Sequence, residues 1–300
     1  MVEQLTTATG KRKRDVLSDV TSERDSLYLE LVPEGQRVKR QRVGSYPTVA
    51  LDKDCTVMAT VNGQECRVCT DSGTTTSVMF LPLARRLGLV TGKEEKHVMK
   101  FDTWQGLQTL EVLVLEDVVV KLEGGVEVHT PARVFPESFG EGYDMDQFVL
   151  DVNLLRRGRV VQRFHKDGST LSFRRPRRLL TIPKKRPMKV FTFQVREECQ
   201  KEHFQVLLDT GCQNFSISEE WKRKHCEGVA KVQDVYLHLR EGCDLHASGP
   251  STLGSAAQDM VMGCRPLQQY KAAIDYGRHT VSYTLGTNTV KVKLQLMSMN

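Results

Sequence analysis

Two tripeptides constrain this chain more than anything else in it: Asp71-Ser72-Gly73 and Asp209-Thr210-Gly211. Each ends an apolar, strand-like run and each precedes another. Before the first, Val57 to Val61 and Gln64 to Cys69 flank Asn62-Gly63. An Asn-Gly pair supplies the positive φ values of a tight I′ turn, so a hairpin is predicted whose second arm feeds Asp71. After the motif, Val78-Met79-Phe80 reads as a strand, and Pro82 opens a short helix over Leu83 to Leu87 that Gly88 closes. Around the second motif, Val190 to Val195 and Phe204 to Leu208 read as strands joined by a charged loop, and Ser216 to Ser218 as the continuation. Ser218 is placed to cap a helix whose first turn holds Glu219 and Glu220, where the helix dipole favours them.

The parallel extends further along the chain. Phe148 to Leu155 precedes a basic turn, a strand Val160 to Phe164, a Lys166-Asp167-Gly168 turn and a strand Thr170 to Phe173. Met260 to Leu267 precedes Gln268-Gln269-Tyr270, a strand Ala272 to Tyr276, a Gly277-Arg278 turn and a strand Thr280 to Tyr283. Both halves read as hairpin, Asp-[Ser/Thr]-Gly, helix, variable middle, apolar strand, short helix, hairpin, which an internal duplication explains better than chance. The expected division is a basic, flexible segment over 1–48, within which Ser26 to Val32 alternates as one strand. A first lobe over 49–175, a basic Pro-containing linker over 176–187, a second lobe over 188–286 and a tail over 287–300 follow.

Composition adds bounds. The chain has 300 residues, 39% of them hydrophobic, enough for a real core. No apolar run has the length of a membrane span, and the first residues are polar and basic, so a soluble intracellular protein of the cytoplasm or nucleus, without membrane attachment, is expected. Eight cysteines are too few for a disulfide scaffold and sit mostly in or beside strands, as reduced thiols do. Cys66 and Cys69 form a CxxC pair, but no second pair follows at zinc spacing, so no metal is expected. The net charge of +6 is clustered in Lys11 to Arg14, Arg37 to Arg42 and Arg174 to Pro187. No aromatic residues interleave with these runs, so nuclear import is favoured over nucleic-acid binding, with a plain solvated face as the simpler alternative.

A single Asp-[Ser/Thr]-Gly is weak evidence, since acidic-Gly turns are common. Two copies in equivalent surroundings are not. Two such loops facing one another bring two carboxylates together, and at close range the pair holds one proton between them. The ionised partner then serves as general base toward water and the protonated one as general acid toward a carbonyl. Glycine permits close backbone approach, and the hydroxyl residue can bond across the loop pair to fix the geometry.

With these residues in view, the halves resemble retropepsins, the small aspartic proteases (peptidase family A2) of retroviruses and of the DNA-damage-inducible ubiquitin-shuttle proteins. Val61-Asn62-Gly63 through Asp71-Ser72-Gly73 resembles the shuttle-protein domain. Leu207-Leu208-Asp209-Thr210-Gly211-Cys212-Gln213 resembles the nuclear receptor-interacting proteins. The resemblance covers roughly residues 50 to 285 and implies a mainly β fold, with two closed β-barrel lobes forming a pepsin-like pseudo-dimer within one chain. It implies catalysis by Asp71 and Asp209 supported by Ser72, Gly73, Thr210 and Gly211, with no cofactor. It also implies a flap, for which His97 to Leu115 has the right strand-turn-strand form, with Trp104, Gln105 and Gly106 at its tip. An ordinary surface hairpin fits these residues equally well. The second half is shorter and its flap is expected to be reduced or missing.

Two positions depart from the family pattern. The apolar-apolar-Gly segment is Val261-Met262-Gly263 in the second half but Val149-Leu150-Asp151 in the first, which sets a bulky charge near Asp71. Phe215 stands where the first half has Ser77 and the family usually has a small polar residue. The sequence therefore favours an aspartic endopeptidase, a monomer acting on polypeptide. A catalytically inactive nuclear interaction protein is the alternative, and pairing of two chains through one half of each is a third possibility.

Overall fold

The computed structural model describes residues 30–31, 46–103, 106–140, 142–174, 178–179, 189–197, 203–226, 228, 232–240, 243–254 and 258–298. Within them the protein is mainly β, arranged in several sheets. The predicted hairpin forms from Thr56–Val61 and Gln64–Asp71, paired from Thr56↔Cys69 to Val61↔Gln64. Its turn residues take positive φ, 48° at Asn62 and 79° at Gly63, the conformation that a side chain with a free choice avoids. The Pro-initiated helix spans Leu81–Arg86, and Gly88, at φ +64°, follows its end. Ser218 caps the helix Glu219–His225, its Oγ accepting from the Trp221 N–H at 3.0 Å.

The same local arrangement surrounds each motif. Gln64–Asp71 runs parallel to Gln147–Asp151, with Asp71 opposite Asp151. His203–Leu208 runs parallel to Met260–Met262, with Leu208 opposite Met262, so that Asp209 and Gly263 come next in register. The strand after each motif, Ser77–Phe80 or Phe215–Ser218, runs antiparallel to that same neighbour. It also runs parallel to a strand from the variable middle, Val126–Phe135 or Ser251–Leu253. The N–H that follows the apolar strand donates to the carbonyl three residues after the aspartate in both cases, Val152 to Thr74 at 3.0 Å and Cys264 to Cys212 at 2.8 Å.

One eight-stranded sheet is built around the first motif and another around the second, while a seven-stranded sheet draws strands from both halves. In this shared sheet Val161–His165 lies antiparallel to Ala273–Asp275, from Val161↔Asp275 to Arg163↔Ala273. These are corresponding strands, each following the short helix after its apolar segment. A large apolar core, including Phe148, Phe164, Phe173, Phe191, Tyr276 and Tyr283, all at most 1% exposed, continues through both halves.

Two segments differ from the sequence reading. Residues 287–300, expected to be a tail, carry the strands Asn288–Lys293 and Gln295–Ser298. Val290 and Val292 alternate with lysines there, and both are fully buried in the shared sheet, so the period-2 pattern describes a real strand. Gln295–Ser298 pairs with Lys189–Glu197. Within the expected linker, Arg178–Leu179 adds to the first-half sheet beside Val126–Phe135. Within Ser26 to Val32, read from the sequence as one strand, Glu30–Leu31 is a strand and pairs with Asn288–Lys293. The basic runs at 11–14 and 37–42, and most of the one at 174–187, lie outside the described residues.

Gly263 has no room for a side chain. A Cβ there would lie 2.5 Å from the Asn214 carbonyl oxygen and 2.6 Å from that of Cys212. Because both obstacles are backbone, Gly263→Ala is expected to lower stability by about 1–3 kcal/mol, read from the urea midpoint.

Candidate active site

The two motif loops meet face to face and are fastened by four reciprocal hydrogen bonds. Ser72 N–H donates to Thr210 Oγ1 at 3.0 Å, and Thr210 N–H donates to Ser72 Oγ at 3.0 Å. Ser72 Oγ–H donates to the Leu208 carbonyl at 2.8 Å, and Thr210 Oγ1–H donates to the Thr70 carbonyl at 2.7 Å. Each hydroxyl therefore donates to the carbonyl just before the opposite aspartate and accepts from the residue just after it. All four residues are buried, so water does not compete for these groups.

The glycines bring the carboxyl groups inward. A Cβ on Gly73 would lie 2.5 Å from Asp209 Cγ, and one on Gly211 would lie 2.6 Å from Asp71 Cγ. Any side chain at either glycine collides with the carboxyl group of the other half. Asp71 Oδ1 accepts from the Gly73 N–H at 2.7 Å, and Asp209 Oδ1 accepts from the N–H groups of Gly211 at 2.9 Å and Cys212 at 3.2 Å. The two carboxyls are hydrogen-bonded to each other.

Asp71 is held well above the ordinary carboxyl pKa of 3.8, first by burial and then by the charge and hydrogen bond of Asp209; the Gly73 and Thr74 N–H groups pull the other way. The pair thus retains a proton at pH values where an isolated carboxyl has lost it.

Asp151 resolves the first departure. Its side chain turns away from the dyad to cap the helix Val152–Arg157, accepting from the N–H groups of Asn153 at 2.7 Å and Leu154 at 3.1 Å. The Ser77 hydroxyl donates to its other oxygen at 2.7 Å. Burial raises its pKa, against these donors, of which Ser77 counts most. The second departure is the counterpart of the first. In the second half Phe215 takes the place of Ser77 and packs into the core at 3% exposure, on the half whose carboxylate position is Gly263.

The Glu95–Thr103 and Gly106–Leu122 strands form the long hairpin predicted from His97 to Leu115, paired as far as Thr103↔Gly106. Trp104 and Gln105 lie outside the described residues, and Gly106 opens the second strand. The second half has the hairpin Asp234–Arg240 with Cys243–Ser248. It pairs with Lys189–Glu197 through Leu237 and His238, as Val120 and Lys121 pair with Thr56–Val61. At Val120 and Lys121 the hairpin partner is Val126–Phe135, so it matches the hairpin that follows the long one rather than the long hairpin itself.

Three contributors went unrecognised in the sequence. Cys212 Sγ donates to Asp209 Oδ2 at 3.1 Å, and the charge of Asp209 pushes its thiol pKa up. Tyr276, wholly buried, interacts with the Ser72 and Thr210 hydroxyls and donates to Gln162 Oε1 at 2.9 Å. Thr70 contributes only its carbonyl, which no side-chain motif reveals. The helix-capping role of Asp151 did have a signal, an aspartate directly before an apolar helical run. Among the described residues no group of three or more His, Cys, Asp or Glu side chains is placed to hold a metal ion, and no helix is long and apolar enough to cross a membrane.

Residues 57–150, from the first hairpin to the apolar strand beside Asp71, match the family model for aspartyl proteases, so this stretch is similar to an aspartyl-protease domain. No curated protein matches the chain.

Proposed function

We propose that the protein is an aspartic endopeptidase in which two duplicated halves, each a closed β lobe, form a single-chain pseudo-dimer around Asp71 and Asp209. The observation that supports this most is the reciprocal bonding of Ser72 and Thr210, which fixes two carboxyl groups in mutual contact across the halves. Cys212 supplies Asp209 Oδ2 with an additional donor, and the raised Asp71 carboxyl carries the proton of the pair. Asp209 then takes a proton from a water molecule while the water oxygen attacks the peptide carbonyl carbon. Asp71 gives its proton to the carbonyl oxygen, forming a tetrahedral diol. Collapse of the diol breaks the C–N bond as Asp209 gives its proton to the amine nitrogen and Asp71 takes one back from a diol hydroxyl, leaving a carboxylic acid, an amine and the starting protonation of the pair.

The substrate is an extended polypeptide lying beneath the first-half hairpin, with Trp104, Gln105 and Gly106 at the covering tip. One cover over a two-carboxylate cleft fits the second-half hairpin, Asp234–Arg240 with Cys243–Ser248, which is the counterpart of a different first-half hairpin. The working unit is the monomer. The basic runs suit a protein of the nucleus as well as the cytoplasm, and they are also the feature that favours the second reading, an inactive nuclear interaction protein.

A peptide library incubated at mildly acidic pH with the monomeric fraction from size-exclusion chromatography tests the proposal. Wild type is expected to cleave it and Asp209→Asn is not. Absence of cleavage by wild type, or equal cleavage by both, would sink the single-chain dyad.

A further inference from the structure

Behind the dyad, two cysteines from opposite halves lie in direct contact. Cys55 sits just before the first-half strand Thr56–Val61, and Cys264 is the first residue of the helix Cys264–Gln269. Their sulfurs are 2.9 Å apart, both side chains are fully buried, and 209 positions of chain separate them. This is closer than two unbonded sulfurs ordinarily pack. The bonding distance of a disulfide is about 2.05 Å, so the two sulfurs have little further to travel. All the described cysteines are free thiols.

The surroundings belong to the motif loops. Cys264 Sγ donates to the Thr210 carbonyl at 3.0 Å, and the Cys55 carbonyl accepts from the Thr70 N–H at 3.2 Å. Gln162 Nε2 lies 3.5 Å from Cys55 Sγ and 3.1 Å from Ser169 Oγ, while Gln162 Oε1 accepts from Tyr276. The two thiols thus close a polar web that joins both catalytic loops to the shared sheet.

We infer that Cys55 and Cys264 form an oxidisable pair whose disulfide ties the two halves of the chain together behind the motif loops. The oxidant is a low-molecular-weight disulfide. The thiolate of one cysteine attacks it, giving a mixed disulfide and releasing one small thiol. The second cysteine attacks the protein sulfur of the mixed disulfide, forming the Cys55–Cys264 bond and releasing the second small thiol. Two protein thiols are oxidised, one small disulfide is reduced to two thiols, and the two protons leave with them. In the folded protein, the Cys55 contact and then burial hold the Cys264 thiol well above its ordinary pKa, which disfavours attack. The bond therefore forms chiefly as the chain folds or opens, and is shielded from reductant once made.

The test refolds the full chain with oxidised glutathione or with excess reductant, blocks free thiols by alkylation, and maps peptides without reduction. A cross-linked peptide joining Cys55 to Cys264, within a monomer lighter by two hydrogen atoms, is expected. The oxidised protein is expected to melt about 5–10 °C above the reduced one, since a cross-link over so long a loop restricts the unfolded chain strongly. Reductant under denaturing conditions abolishes that increment, and Cys55→Ser never shows it. Recovery of Cys55 and Cys264 as alkylated thiols from the oxidised wild type overturns the inference, whether or not other cysteines pair. An undiminished melting increment in Cys55→Ser overturns it as well. The peptide map needs no variant, so a misfolded substitution does not leave the question open.

Discussion

Thr210→Val is expected to lower the unfolding free energy by about 2–5 kcal/mol, seen as a fall in the urea midpoint at unchanged slope. Valine matches threonine in shape, so packing is nearly kept and the loss isolates the hydroxyl. That hydroxyl donates to the Thr70 carbonyl and accepts from the Ser72 N–H, both buried. The substitution leaves one acceptor and one donor unpaired where water does not enter, each costing about 1–3 kcal/mol. Most surface substitutions change stability by only about 0.5 kcal/mol, so the effect stands clear of that background. A loss below about 1 kcal/mol means that the two halves do not depend on these bonds.

Asp71→Asn carries the second large effect, and it has opposite signs on activity and stability. Cleavage is expected to fall by at least about 100-fold at every pH, the smallest contribution expected of a positioned acid–base group. Stability is expected to rise at neutral pH. The sign follows from linkage: Asp71 has a higher pKa folded than unfolded, so between the two values the folded protein binds more protons. Stability from this group is fully present below the ordinary value of 3.8 and is lost as pH rises through the raised folded value. Asparagine does not ionise and escapes that loss. Melting temperatures of wild type and variant, taken from acidic to neutral pH, should diverge as pH rises, with the variant higher. Curves that stay parallel would show that no raised carboxyl pKa is present.

Much of the fold was legible because its signals are local. The Asn62-Gly63 hairpin, the Pro82-initiated helix and the Ser218 cap each depend on residues within a few positions of one another. The strands Asn288–Lys293 and Gln295–Ser298 were not read, although Val290 and Val292 alternate correctly, because their partners lie far away in sequence. The facing of Asp71 and Asp209 and the cross-loop bonding of the Ser72 and Thr210 hydroxyls follow from the repeated motif, but the other residues around them do not. Tyr276 and Cys264 look like ordinary core residues, and their meaning comes only from the backbone that folds over them. Asp151 was taken for a disturbance because its register beside Asp71 was visible while the direction of its side chain was not.

Ser77 with Asp151 in the first half, and Phe215 with Gly263 in the second, hold matching places around the two motifs with different chemistry. In a homodimer each gene position is expressed twice, so both copies of the cleft must accept the same solution. A chain that contains both copies is released from that rule, and each half can drift as long as its own pair drifts together. The mutational consequence is epistasis confined within a half: Ser77→Phe alone places a ring against a buried carboxylate. The same phenyl ring is native at position 215, where the neighbour is glycine.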